Sequence, residues 1–140
     1  MKNEFKILKR EEVSEKNQQV FDKIKGVFGA VPNLYSTLAY SENALEAYFN
    51  LETSKTSLTT KDAEAVNLVV SEVNHCMYCL SAHTMIAKQS GFTEEQTIEV
   101  RRGSATFDPR LDTLVKLTKQ LSETRHVENE TLLDAFFDAG

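Results

Sequence analysis

The chain has 140 residues, of which 41% are hydrophobic and 26% charged, with a net charge of −5 at neutral pH. That length suits one domain with a modest core. The acidic balance and the absence of a basic patch argue against nucleic acid as a partner, and no apolar run reaches the roughly 18 residues of a membrane-crossing helix.

The first residues, Met1-Lys2-Asn3-Glu4-Phe5-Lys6, lack the apolar centre of a signal peptide. The expected location is therefore cytoplasmic, where structural disulfides are rare. Only five glycines and two prolines occur, with no Asn-Gly or Asp-Gly hairpin signal, so the expected class is all-α, one domain over residues 1–140.

In chain order, residues 1–12 are polar and expected to be loose or extended. Ser14 is placed to cap a first helix whose apolar face is Val20, Phe21, Ile24, Val27 and Phe28, with Gly26 and Gly29 fraying its end. Pro32 biases Val31 away from helix, and a short helix is expected from Asn33 to about Tyr40. Ser41 restarts the chain for a helix carrying Ala44, Leu45, Tyr48, Phe49 and Leu51, to about Lys55. Thr59 and Thr60 follow the staple residue Leu58, with Asp62 and Glu64 suited to a helix N-terminus.

From Lys61 to about Asn74 the residues Ala63, Ala65, Val66, Leu68, Val69, Val70 and Val73 are apolar on most sides of a helix, which predicts the central buried one. Glu64 on such a helix needs a partner. The chain turns near His75, and the next helix runs from Cys76 or Met77 to Ser90, with Gly91 as its C′ residue. Thr93-Glu94-Glu95-Gln96 is a capping box opening a helix to about Arg102. Asp108-Pro109 is an N-cap with proline at N1 for a helix presenting Leu111, Leu114, Val115, Leu117 and Leu121. A last helix is expected from Asn129 to Ala139, with Leu132, Leu133, Phe136 and Phe137.

The chemistry-bearing residues concentrate at the turn. Cys76 and Cys79 are the two cysteines of the chain, and His75 and His83 are two of its three histidines. In this setting a C-x-x-C reads as catalytic or metal-binding. At a helix N-terminus the backbone amides favour a thiolate. His83 lies one helical turn from Cys79 and can accept its proton. Glu64 would approach His83 if the two helices pack antiparallel. Tyr78 adds a hydroxyl that can relay a proton or hydrogen-bond a substrate. Zinc is an open alternative, with Cys76, Cys79 and His83 as three ligands and His75 or Glu64 as the fourth; a buried structural cysteine pair is another. His75 otherwise caps the preceding helix end, and His126 reads as solvated.

Glu64, eleven residues, Cys76-x-x-Cys79, three residues and His83 resemble the signature of the AhpD-like alkylhydroperoxidases of the carboxymuconolactone decarboxylase superfamily. The flanks Val31-Pro32-Asn33-Leu34-Tyr35, Leu58 to Leu68 and Gly91 to Gln96 are similar to that family too, so the resemblance spans roughly residues 30–140. It implies an all-helical bundle assembling as a homo-oligomer, trimer or hexamer. The implied activity is thiol-dependent reduction of a hydroperoxide, with an external dithiol as reductant and no cofactor. Carried over, Cys79 is the peroxidatic cysteine, Cys76 the resolving one, and Glu64 and His83 the proton relay.

The best-studied members have a histidine where this chain has Tyr78, and family chains run on past positions 139–140 into further helices. Two other functions stay open at this point. One is a redox-sensing helical oligomer with little or no catalysis. The other is a carboxymuconolactone-type decarboxylase, whose reaction needs no C-x-x-C.

Overall fold

The computed structural model describes residues 5–140, and every regular element among them is helical. Two compact units make up the chain, Met1–Lys55 and Thr56–Gly140.

The first unit holds α1 (Glu15–Phe28), α2 (Asn33–Leu38) and α3 (Glu42–Glu52). Ser14 caps α1 by accepting the Asn17 N–H at 3.3 Å, and Ser41 caps α3 by accepting the Ala44 N–H at 3.2 Å. Phe21, Ile24, Tyr35 and Leu45 form its core. The predicted loose segment is anchored where it is described. Arg10–Glu12 is a turn of 3-10 helix, and the Arg10 guanidinium donates two hydrogen bonds to Asp22 on α1, at 2.7 and 2.8 Å. Residues 1–4 of that segment lie outside the described residues.

Three boundaries differ from expectation. Helix α1 runs through Gly26, and Gly29 alone ends it, with φ +76°. Val27 and Phe28, expected on the apolar face, are exposed. Helix α2 stops at Leu38, because the chain must leave helical geometry before Ser41 can cap the next helix. Helix α3 stops at Glu52, where the hydroxyls of Thr53 and Ser54 donate to the carbonyls of Phe49 and Asn50 and compete for the helical ladder.

The second unit holds α4 (Thr60–Val73), α5 (Met77–Gln89), α6 (Glu94–Arg101), α7 (Pro109–Thr124) and α8 (Glu130–Asp138). Helix α4 is its centre and packs against α5, α6 and α7. Ala65, Leu68 and Val69 on α4 are fully buried and meet Ala87, Val100 and Val115 from those three helices. The apolar sides of α4 are thus covered by three helices, as its composition requires.

Local signals set the ends. Thr59 and Asp62 form a capping box, as do Thr93 and Gln96. Asp108 caps α7 with Pro109 at N1. Gly91, at φ +97°, closes α5: its N–H reaches the Lys88 carbonyl, and the Phe92 N–H reaches that of Ala87. Helix α8 packs on α7 and turns Phe136 toward the core, while Leu121 and Phe137, also expected inside, stand exposed.

Asp62 does more than cap. Its carboxylate accepts from the Thr59 amide and hydroxyl and pairs with Arg110 in the first turn of α7. Burial pushes this carboxyl up, but the hydrogen bonds from Thr59 and Arg110 outweigh it and hold Asp62 below its ordinary value. A carboxyl depressed in the folded state stabilises fully above its unfolded value of about 4 and loses that contribution as pH falls through the folded value. Asp62→Asn should therefore cost about 1–2 kcal/mol at pH 7, with parent and variant converging in acid. Denaturant unfolding from pH 7 to pH 3 measures this; a gap that stays constant with pH contradicts it.

Candidate functional site

The site is built on the junction of α4 and α5. The end of α4 closes through a residue in left-handed conformation, His75, with φ +53°. The His75 N–H bonds the Glu72 carbonyl and the Cys76 N–H bonds the Ser71 carbonyl, both at 3.0 Å. This is the paired closure usually given to glycine.

Cys76 then serves the next helix as its N-cap. Its Sγ accepts the Cys79 N–H at 3.3 Å, and its carbonyl accepts the Leu80 N–H at 2.9 Å. One residue therefore ends α4 and begins α5. Across that first turn Cys76 and Cys79 are joined as a disulfide, with their Cα atoms 5.3 Å apart. From α6, the Arg101 Nε donates to Glu72 at 2.6 Å and ties down the end of α4.

Three residues link α4 to α5, so the helices return antiparallel, and Glu64 on the first faces His83 on the second. His83 Nδ1 lies 2.9 Å from Glu64 Oε2. The Glu64 side chain is only 8% exposed and that of His83 28%. A carboxylate this buried needs partners, and each Glu64 oxygen has one: Asn67, one turn along α4, donates from Nδ2 to Oε1 at 3.2 Å. A carboxylate oxygen only accepts, so with Glu64 ionised this contact is a hydrogen bond donated by His83 Nδ1, and Nε2 is the ring nitrogen not engaged by Glu64. The result is an imidazole oriented by a buried partner one helical turn beyond Cys79, of the type that exchanges protons near neutral pH. In the disulfide form no hydrogen bond links this imidazole to either sulfur.

Of the residues expected at the site, Glu64 and His83 are in contact, and Cys76 and Cys79 are bonded to each other. Tyr78 is not joined to them. It is 63% exposed on the first turn of α5, next to the exposed Met77. His75 contributes backbone shape, closing the α4 end as expected. His126 lies in the α7–α8 loop, with Nδ1 2.8 Å from the Thr124 carbonyl. Among the described residues no three His, Cys, Asp or Glu side chains are grouped to hold a metal ion. Asn67 and Arg101 escaped the sequence reading. The signal for Asn67 was its place three residues after Glu64 on the same face of a predicted helix.

The model of the carboxymuconolactone decarboxylase family matches residues 40–120. The chain belongs to that family. The matched span runs from before α3 into α7 and contains the whole α4–α5 junction. No curated protein matches the chain in sequence.

Solved structures share its fold. One is an uncharacterized peroxidase-related protein from Ralstonia eutropha JMP134, described as an alkylhydroperoxidase AhpD core, with 21% identity over 97% of this chain and 75% of that one and a TM-score of 0.83. Another is an uncharacterized peroxidase-related protein from Silicibacter sp. TM1040, with 22% identity over 91% of this chain and 70% of that one and a TM-score of 0.78. The fold is thus AhpD-like and all-α, as the sequence led us to expect. No helix is long and apolar enough to cross a membrane among the described residues.

The left-handed conformation of His75 can be tested directly. Glycine adopts it without steric cost, whereas a β-branched residue does not. His75→Gly should leave stability within about 1 kcal/mol of the parent, and His75→Val should lower it by about 1–2 kcal/mol. Chemical denaturation compares the two; equal losses would remove the conformational explanation.

Proposed function

We propose that this member of the carboxymuconolactone decarboxylase family is a thiol-dependent oxidoreductase that reduces hydroperoxides, with Cys76 and Cys79 cycling between dithiol and disulfide. The observation that carries the reading is the 2.9 Å contact between buried Glu64 and His83, one helical turn beyond the cysteine pair.

In the reduced enzyme the Nε2 atom of His83 takes the Cys79 proton. The Cys79 thiolate attacks the terminal oxygen of the hydroperoxide and the O–O bond breaks. The alkoxide leaves as an alcohol with the proton returned by His83, and Cys79 becomes a sulfenic acid. The Cys76 sulfur attacks Cys79, the hydroxyl departs as water with the Cys76 proton, and the disulfide forms. An external dithiol restores both thiols by two exchange steps, so that its two electrons reach the peroxide.

The position of Cys76 suits the resolving role, because as its sulfur gives up that proton it gains the Cys79 amide and the positive end of α5. Tyr78, on the open side of the same turn, is placed in this reading to hydrogen-bond an arriving substrate. Assembly as a trimer or hexamer belongs to the same proposal. The dithiol favours peroxide reduction over carboxymuconolactone-type decarboxylation, which has no use for it.

With a dithiol donor present, Cys79→Ser should lower peroxide consumption by roughly a hundredfold or more. Cys76→Ser should stop after one turnover with a trappable sulfenic acid on Cys79. Peroxide consumption followed with mass spectrometry of the trapped protein gives both readings, and consumption by Cys79→Ser at the parental rate overturns the proposal.

A further inference from the structure

Glu64 has two oxygens and two different neighbours, His83 on Oε2 and Asn67 on Oε1. The second contact decides what the first can do. A neutral imidazole with no acceptor held against Nδ1 can carry its proton on Nε2 instead, and no basic nitrogen would then remain toward the cysteine turn. With a carboxylate oxygen held against Nδ1, the neutral imidazole keeps its proton there and Nε2 is free.

A hydrogen bond donated to one oxygen of a carboxylate fixes the direction in which the other oxygen points. Asn67 supplies that donation from the same helix, in a partly buried setting where few waters compete. Its amide cannot usefully turn over, because its own oxygen would then face a carboxylate oxygen.

We infer that Asn67 is a positioning residue that fixes the tautomer of His83 through Glu64, by donating to Glu64 Oε1 and keeping the basic nitrogen of the imidazole free. Its consequence for turnover rests on the peroxidase reading above; its effect on the imidazole does not. Asn67 touches neither sulfur nor substrate in this scheme. It sets which nitrogen of His83 can work, much as the outer partners of catalytic and metal-bound histidines do.

The test reads the imidazole directly. In ¹⁵N-histidine-labelled protein in the disulfide form, long-range proton–nitrogen spectra at neutral pH should show His83 with a protonated Nδ1 and a bare Nε2. Asn67→Leu should move a substantial share of His83 to the Nε2–H tautomer. Asn67→Asp keeps the shape of the side chain and puts a carboxylate where the donor was, so repulsion turns Glu64 away from its place against Nδ1 and should shift the same population. This second variant keeps the inference testable if Asn67→Leu does not fold.

In the reduced enzyme the same variants should slow peroxide consumption roughly tenfold or more, and Asn67→Gln, which retains an amide donor, should recover part of it. Unchanged His83 nitrogen shifts in a folded Asn67→Leu or Asn67→Asp protein overturn the inference, whatever the rate. Altered nitrogen shifts in a protein whose parent consumes no peroxide leave the tautomer role standing and count against the proposed function instead.

Discussion

The second unit depends on one constraint: a carboxylate on its most buried helix must be satisfied. Glu64 sits on α4, which is covered by α5, α6 and α7. An unpaired charge there would cost several kcal/mol. The demand is met from α5 and from α4 itself, by His83 and Asn67. Meeting it through α5 requires that helix to return antiparallel at close range, which in turn requires a tight junction after Val73. The cysteine pair occupies that junction. The charge that could supply proton transfer and the turn that carries the thiols are two consequences of one packing requirement.

Arginine pairs hold the frame around this contact at both ends of α4. Near its start, Asp62 pairs with Arg110 of α7, and near its end Glu72 pairs with Arg101 of α6. Each pair on its own contributes modestly, because both arginines are partly exposed. Together they limit sliding of α4 along its axis. Sliding by one turn would carry Glu64 past His83, so register matters more here than the energy of either pair.

Much of this was legible because the chain marks its helix ends with chemistry. Ser14, Thr59, Thr93 and Asp108 stand at the N-caps the sequence suggested, and Ser41 and Asn129, read only as helix starts, cap their helices as well, each of the six accepting a backbone N–H. The Glu64 to His83 contact was legible as a need for a partner plus an antiparallel return. Exposure was harder to read. Val27, Leu51, Leu121 and Phe137 fit helical apolar stripes yet face outward, since periodicity reports a face and not what covers it. The α3 end was misplaced because the Thr53 and Ser54 hydroxyls draw on carbonyls of the last turn, a local competition the apolar pattern does not contain. Asn67 was passed over because an asparagine on a helix is ordinary until the neighbouring carboxylate is known to be buried.

The double use of Cys76 bears on what the disulfide is for. A cross-link stabilises a fold mainly by shortening the loops open to the unfolded chain, and that gain grows with the length enclosed. The Cys76–Cys79 bond encloses almost none, since its ends are three residues apart. The backbone of the turn is meanwhile also held by main-chain hydrogen bonds, to the carbonyls of Ser71 and Glu72 and from the N–H of Leu80. Opening the bond therefore releases little chain entropy and leaves both helix ends fastened. Such a bond is a poor staple, and the turn it spans does not rest on it alone.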